Sequence, residues 1–203
     1  MTEAEARDLV REQVGEPGLA RLEALAGMVV AENQHQNLIA PATVSVMWSR
    51  HMLDSVQLLR FVPTGWTSWL DIGTGGGFPG LAIAAATARP VTLVEPRRRR
   101  ADFLRATATA LGLEKVMVLQ SRVEQVGVQA DIISARAVAS LEKLLLAAGQ
   151  CATAATTWVL PRGRMGTDEL DRLRRDWNGM FHVERSLTDE ASAIIVATGV
   201  EPR

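Results

Sequence analysis

Asp71-Ile72-Gly73-Thr74-Gly75-Gly76-Gly77-Phe78-Pro79-Gly80 joins a short apolar run, 66–73, to a helix-forming run, 81–87. A strand ending in an acid and a glycine, then a glycine-rich turn and a helix, is the opening unit of an open α/β sheet. Ligands of such sheets bind at the carboxyl ends of the strands. Glycine lets the backbone turn sharply there and approach a ligand where a Cβ would clash. Downstream the alternation repeats, with strands expected at 91–95, 116–120, 130–136 and 156–161 and helices at 97–112, 140–149 and 167–177. Two strand-like runs, 181–187 and 191–198, close the chain around a polar turn. The alternation predicts a mostly parallel, seven-stranded sheet with helices on both faces, and the closing pair predicts an antiparallel hairpin.

Towards the N-terminus the pattern changes. No strand signal precedes residue 67; segments 2–14, 18–33 and 43–61 read as helices, with Leu19, Leu22, Leu25, Ala26 and Val29 at helical spacing. Polar residues between Asn33 and Pro41 separate the last two. The chain is thus read as a helical extension, 1–62, on an α/β domain, 63–203, the two expected to form one compact unit. A length of 203 residues suits one such domain. Hydrophobic content of 47% and charged content of 22% are ordinary for a globular protein. No apolar run approaches the roughly 18 residues that span a bilayer, and the charged start is unlike a secretory signal. Cys151 stands alone, which excludes an internal disulfide, and no Cys/His cluster has metal-site spacing. A cytoplasmic protein without metal or membrane, acting as a monomer, is the expectation. The net charge of −1 argues against a uniformly basic nucleic-acid binder. Only Lys115 and Lys143 among the 22 lysines and arginines are lysine. Arginine suits bidentate phosphate and guanine contacts, but a codon bias explains the count more simply, so composition leaves the partner open.

The glycine turn admits two ligands. Gly75-x-Gly77-x-x-Gly80 satisfies the dinucleotide fingerprint, a weak pattern by itself. Three details favour S-adenosylmethionine. Asp71 precedes the glycines where an amino-acid ammonium group would be held. Phe78-Pro79 crowds the place a pyrophosphate needs on the helix. Glu95 ends the second strand, placed to accept ribose hydroxyls, a feature NAD enzymes share. Gln120 to Glu124 follow the third strand, where an adenine ring is usually met. Arg136 ends the fourth strand, over the glycine turn; alone it would read as a surface salt-bridge partner, and beside the turn it reads as a cofactor or RNA contact.

Taken in order, these landmarks resemble a known family. They are Asn37-Leu38, Arg50-His51-x-x-Asp54-Ser55, the DIGTGGGFPG turn, Glu95, Asp102-Phe103-Leu104, Ser121-Arg122-Val123-Glu124 and Asp131 to Ala137. The chain is similar, over about residues 20 to 200, to the bacterial small-subunit rRNA guanine-N7 methyltransferases, the glucose-inhibited division protein B family. That resemblance implies a class I, Rossmann-like methyltransferase fold with an N-terminal helical extension. It also implies transfer of a methyl group to N7 of one guanine, guanine-527, in 16S ribosomal RNA of the small subunit or its precursor. By the same match Gly73 and Phe78 would line the cofactor loop, beside Asp71, Gly75 and Glu95 of the turn and strand end read above. Val123 and Glu124 would meet the adenine, and Arg136 would stand near the methyl-transfer centre. The family's lysine-glycine after the fifth strand stands here as Arg162-Gly163, keeping the charge and changing its shape.

The chemistry agrees with what the sequence lacks. Guanine N7 carries an in-plane lone pair and no proton, so methyl transfer needs alignment rather than a general base. No Ser-His-Asp order is present, and Ser134-Ala135-Arg136-Ala137 stands where an amino-N methyltransferase carries its NPPY-type tetrapeptide. Arg50, His51, Arg162 and Arg164 are the RNA candidates. Against that, His51 reads first as a packed, hydrogen-bonded residue, and Arg50 and Asp54 as an i,i+4 pair. Arg97 to Arg100 read first as a solvated helix face. Arg172, Arg174 and Arg175, with Arg162 and Arg164, follow a strand end on the ligand side. The rival functions are a methyltransferase of another RNA or a small molecule, an NAD-binding oxidoreductase, and a non-catalytic RNA-binding module.

Overall fold

The computed structural model describes residues 1–137, 140–163 and 167–203, the side chains of Thr167 and Asp168 excepted. Seven strands form one sheet: β1 (Trp69–Ile72), β2 (Val91–Val94), β3 (Val116–Leu119), β4 (Ile132–Ala135), β5 (Thr157–Arg162), β6 (Trp177–Arg185) and β7 (Ala193–Pro202). Their spatial order is β3-β2-β1-β4-β5-β7-β6. β1 to β5 pair in parallel, and β7 runs antiparallel to both β5 and β6. The expected mostly parallel sheet with an antiparallel C-terminal hairpin is therefore the fold. Strand order reverses direction at β1, with β2 on one side and β4 on the other, which opens a crevice above that junction.

Helices cover both faces: α1 (Glu3–Glu32), α2 (Asp54–Val56), α3 (Gly80–Thr87), α4 (Arg98–Ala110), α5 (Leu141–Ala148) and α6 (Thr167–Asp176). Strand β1 is accordingly buried at all four positions, the behaviour of a strand packed on two sides. The apolar α3 is buried from Gly80 to Ala86. Thr2 and Glu5 form a capping box at the start of α1. Gly15, at φ 68° and ψ 175°, kinks α1 between the two helices read from the sequence. Gly18 then lets α1 press onto α3, since a Cβ there would lie 2.8 Å from the Ala86 carbonyl oxygen.

One hydrophobic cluster holds Leu22, Leu25 and Val29 of α1, Met52 and Leu53, Leu81 and Ile83 of α3, and Trp69 and Leu93 of the sheet. On the other face Leu70, Val94 and Ile133 meet Leu144, Leu145 and Trp158. Cys151 is fully buried in this second cluster.

Two element expectations need correction. Segment 43–61 is not one α-helix: a 3-10 turn (Pro41–Val46), a π turn (Trp48–Leu53), α2 and a second 3-10 turn (Gln57–Phe61) follow one another. A π turn bonds residues five apart, which rotates Arg50 away from Asp54. The expected i,i+4 pair gives way to Asp54–Arg136 at 3.1 Å and Arg50–Asp189 at 3.8 Å. The last helix stops at Asp176, because Trp177 is drawn into the core as the first residue of β6, opposite Pro202. No helix among the described residues is long and apolar enough to cross a membrane.

Candidate active site

Between β1 and α3 the backbone adopts the left-handed region at Gly73 (φ 68°), Gly75 (φ 59°) and Gly77 (φ 102°), conformations an L side chain takes only under strain. The turn is held by its own bonds. Gly73 and Thr74 N–H donate to the Val94 carbonyl at 2.8 and 3.3 Å, and Gly77 and Phe78 N–H donate to the Thr74 carbonyl at 3.0 and 3.1 Å.

Asp71 lies fully buried beneath the turn. Its Oδ1 accepts from the Ser134 hydroxyl at 2.6 Å, and its Oδ2 from the Thr74 hydroxyl at 2.8 Å and the Gly80 N–H at 2.9 Å. The Trp69 indole N–H donates to Ser134 at 2.8 Å and completes the chain. Burial outweighs these bonds and raises the carboxyl to about 6. The side chain expected to hold an ammonium group therefore turns its oxygens inward, and its place is under the cradle. Glu95, 3% exposed, accepts the Gly75 N–H at 3.0 Å on Oε2 and the Arg97 N–H at 2.8 Å on Oε1. Each oxygen keeps a second lone pair for a ribose hydroxyl.

The start of α3 offers a pyrophosphate little. Pro79 has no N–H, and that of Gly80 is taken by Asp71. With Gly73 and Gly75 half-exposed beside Glu95, the cradle suits a nucleoside carrying an amino-acid tail better than a dinucleotide.

A second centre adjoins it. Arg136, just after β4, donates from Nη1 to Asp54 Oδ2 and the Arg50 carbonyl, both at 3.1 Å, and from Nη2 to His51 Nδ1 at 3.1 Å. Its guanidinium lies 5.4 Å over the ring of Phe78, which is itself 4.9 Å from the His51 ring. Because Arg136 can only donate, His51 Nδ1 accepts, and Nε2–H donates to Thr43 Oγ1 at 2.8 Å. Burial, then the charges of Arg136 and Arg50, lower the imidazole to about 3, so the ring is neutral. The π turn that carries these groups is capped from afar: Glu3 accepts the Trp48 and Ser49 N–H at 2.7 and 3.0 Å.

A cavity of about 330 Å³ opens here, lined among others by Arg50, His51, Asp54, Arg136, Arg162, Ser186 and Ser192. The structure thus gathers Arg50, His51, Arg136 and Arg162 around one space, and ties Asp71 and Glu95 to the glycine turn. Phe78, in that turn, packs against Arg136 and His51 of the cavity wall. Val123 opens a 3-10 turn, Val123–Gln125, with its carbonyl accepting from Gln150 Nε2 at 2.7 Å; Glu124 beside it is exposed. That turn lies beyond β3, apart from the Arg136 cavity. Arg164 lies outside the described residues. Arg99 and Arg100 donate to the His35 and Asn37 carbonyls, so half of the arginine run fastens the extension, while Arg97 to Arg99 are exposed. Arg174 donates to the Phe181 carbonyl. Because α6 carries the chain back to the amino end of β6, Arg174 lies away from the cradle, not on the ligand side. Sequence reading missed Asp54 as the partner of Arg136, and Ser134 and Thr74 as braces of Asp71. Thr74 stands inside the motif, whereas 82 residues separate Asp54 from Arg136. Among the described residues no group of three or more His, Cys, Asp or Glu side chains is placed to hold a metal ion.

The model of the GidB family, rRNA small subunit methyltransferase G, matches residues 19–191. Ribosomal RNA small subunit methyltransferase G of Erythrobacter litoralis is 44% identical over 200 residues, covering 98% of this chain and 97% of its own. The protein of the same name from Novosphingobium aromaticivorans is 47% identical over 202 residues, covering 97% and 88%. The glycopeptide N-methyltransferase MtfA, solved with (S)-adenosyl-L-methionine, superposes at a TM-score of 0.60 and 7% identity over 73% of this chain and 86% of its own, a likeness of fold alone.

Proposed function

The chain belongs to the family of rRNA small subunit methyltransferase G, and on that premise we propose that it methylates N7 of one guanine, guanine-527, in 16S ribosomal RNA. S-adenosylmethionine is the donor, and the reaction takes place in the cytoplasm on the small subunit or its precursor, with one copy of the chain acting alone. The observation that carries this reading is the contact of Phe78, in the glycine turn, with Arg136, on the wall of the cavity.

When bound, S-adenosylmethionine supplies an electrophilic methyl group on a sulfonium sulfur. Guanine N7 brings a lone pair and no proton, so one N–C bond replaces one S–C bond and no base is required. The site fits that demand. His51 is the cavity's imidazole, and it neither gives nor takes a proton: Nδ1 is occupied by Arg136 and Nε2–H by Thr43. Arg136 is held by three bonds to Arg50, His51 and Asp54, which fixes its charge beside the cavity before any base arrives. Asp71 and Glu95 hold the glycine turn from beneath and from the side. A cavity of this size falls at the lower end of ligand-pocket volumes, about 300 to 1,000 Å³, and accepts one extruded base. Alignment of this kind contributes several kcal/mol to such a displacement, roughly 7 to 11 at its upper range.

The test is transfer of labelled methyl from S-adenosylmethionine to small ribosomal subunits lacking the modification, followed by mapping of the labelled base. One N7-methylguanine in 16S rRNA is the expected result. Label on another RNA or on a small molecule alone would overturn the assignment and leave a methyltransferase with a different acceptor.

A further inference from the structure

Asp54 is engaged through both carboxylate oxygens, in two directions. Oδ2 accepts from Arg136 at 3.1 Å. Oδ1 accepts from the Thr188 hydroxyl at 3.0 Å and the Gln57 side-chain amide at 3.0 Å. Gln57, fully buried, extends the tie: Nε2 donates to Ser186 Oγ at 3.1 Å, and Oε1 accepts the Leu187 N–H at 2.8 Å. These bonds fasten the connection between β6 and β7 to the helical segment that carries Arg50, His51 and Asp54. Ser186 and Ser192, from that connection, line the same cavity as Arg136. One carboxylate thus touches the charge on one wall of the cavity and the chain that forms another.

The arrangement is too specific for a plain brace. Gln57 alone makes two bonds to the β6–β7 connection, and Arg50 reaches Asp189. Fastening that connection to the helical segment does not need Arg136. Yet the Asp54 side chain is only 16% exposed and its partner Arg136 21%, a charged pair placed mostly out of water. Such a pair costs desolvation that a neutral hydrogen bond would avoid, so its placement calls for a role beyond fastening.

We infer that Asp54 is a positioning residue for methyl transfer, setting Arg136 and the β6–β7 wall in one register around the target base. The inference rests on the rRNA reading above. Neither Asp54 nor Thr188 is expected to touch the cofactor.

The experiment measures kcat, KM for small subunits and Kd for S-adenosylmethionine in the unaltered enzyme and in Asp54→Asn, Thr188→Val and Thr188→Ser. Asparagine keeps the shape, but it turns either an amide towards Arg136 or a donor towards Thr188. Asp54→Asn should lower kcat roughly 100-fold, the scale of a small misplacement of reacting groups, with Kd for S-adenosylmethionine unchanged within about twofold. Thr188→Val should lower kcat about tenfold through the wall alone, and Thr188→Ser, which restores the hydroxyl, should recover it. If Asp54→Asn does not fold, the Thr188 pair decides. Wild-type kcat in the variants, equal losses in Thr188→Val and Thr188→Ser, or losses that only follow cofactor affinity would overturn the inference while the rRNA reading stands. No transfer by the unaltered enzyme would overturn the rRNA reading and this inference together.

Discussion

His51 is held neutral by burial and by the charges of Arg136 and Arg50, which bring it to about 3. The unfolded chain takes up a proton below about 6.5, and the folded chain does not until about 3. The stability this group contributes is present above 6.5 and is lost as pH falls towards 3. Asp71 works in the opposite sense: raised from 3.8 to about 6, it contributes stability that is present below 3.8 and lost as pH rises through 6. Replacing His51 by glutamine removes the acid-labile contribution alone. The melting temperature of His51→Gln, relative to the unaltered protein, should therefore rise steadily as pH is lowered from 7 to 4.5. Thermal circular dichroism at four or five pH values measures it, and a constant difference would mean that His51 titrates normally in the fold. Sequence reading found His51 as a motif residue and as a packed one. Its neutrality was not legible, because it rests first on burial and then on the charge of Arg136, 85 residues further on, and both are set by the fold.

The glycine turn shows what a motif does and does not disclose about an element. Its position between strand and helix is plain from the residues, but the division of labour among its glycines is not. Gly80 packs inward: a Cβ there would stand 2.4 Å from Asp71 Cβ and 2.6 Å from Leu93 Cδ2. Gly73 is half-exposed and needs its positive φ. Gly80→Ala should behave as overpacking and cost about 1 to 3 kcal/mol. Gly73→Ala should cost about 1 to 2 kcal/mol for its left-handed backbone and put a methyl group into the cradle. The expected pattern is a folded Gly73→Ala that gives no heat with S-adenosylmethionine, and a Gly80→Ala with the larger fall in melting temperature. Tight cofactor binding by Gly73→Ala would remove the turn from the cradle. The 41–61 stretch was harder to read. Its apolar residues suggest a 3.6-residue period, while the π turn is engaged by Glu3, Arg136 and, through Arg50, Asp189 of the β6–β7 connection, none of them local.

At the scale of the whole molecule, the parallel sheet was legible from the alternation of strand and helix, while the insertion of β7 between β5 and β6 was not, since strand order is decided by packing at a distance. The chain reads as an extension, 1–62, and a domain, 63–203, in one compact unit, and Leu22, Leu25, Met52 and Leu53 of the extension share one cluster with Leu81, Ile83 and Leu93. Separating them would expose an apolar face on each part, at about 25 cal/mol for every Å² uncovered. Two bodies that share a core should unfold as one. Differential scanning calorimetry should therefore show a single transition whose calorimetric and van't Hoff enthalpies agree. S-adenosylmethionine at 100 times its Kd should stabilise it by about 2.7 kcal/mol, moving the whole transition without splitting it. NADH at the same concentration should leave it in place, because the first turn of α3 is closed by Asp71. Two transitions, with only the later one responding to the cofactor, would show that the extension folds as a separate unit and that the shared cluster contributes little to holding it.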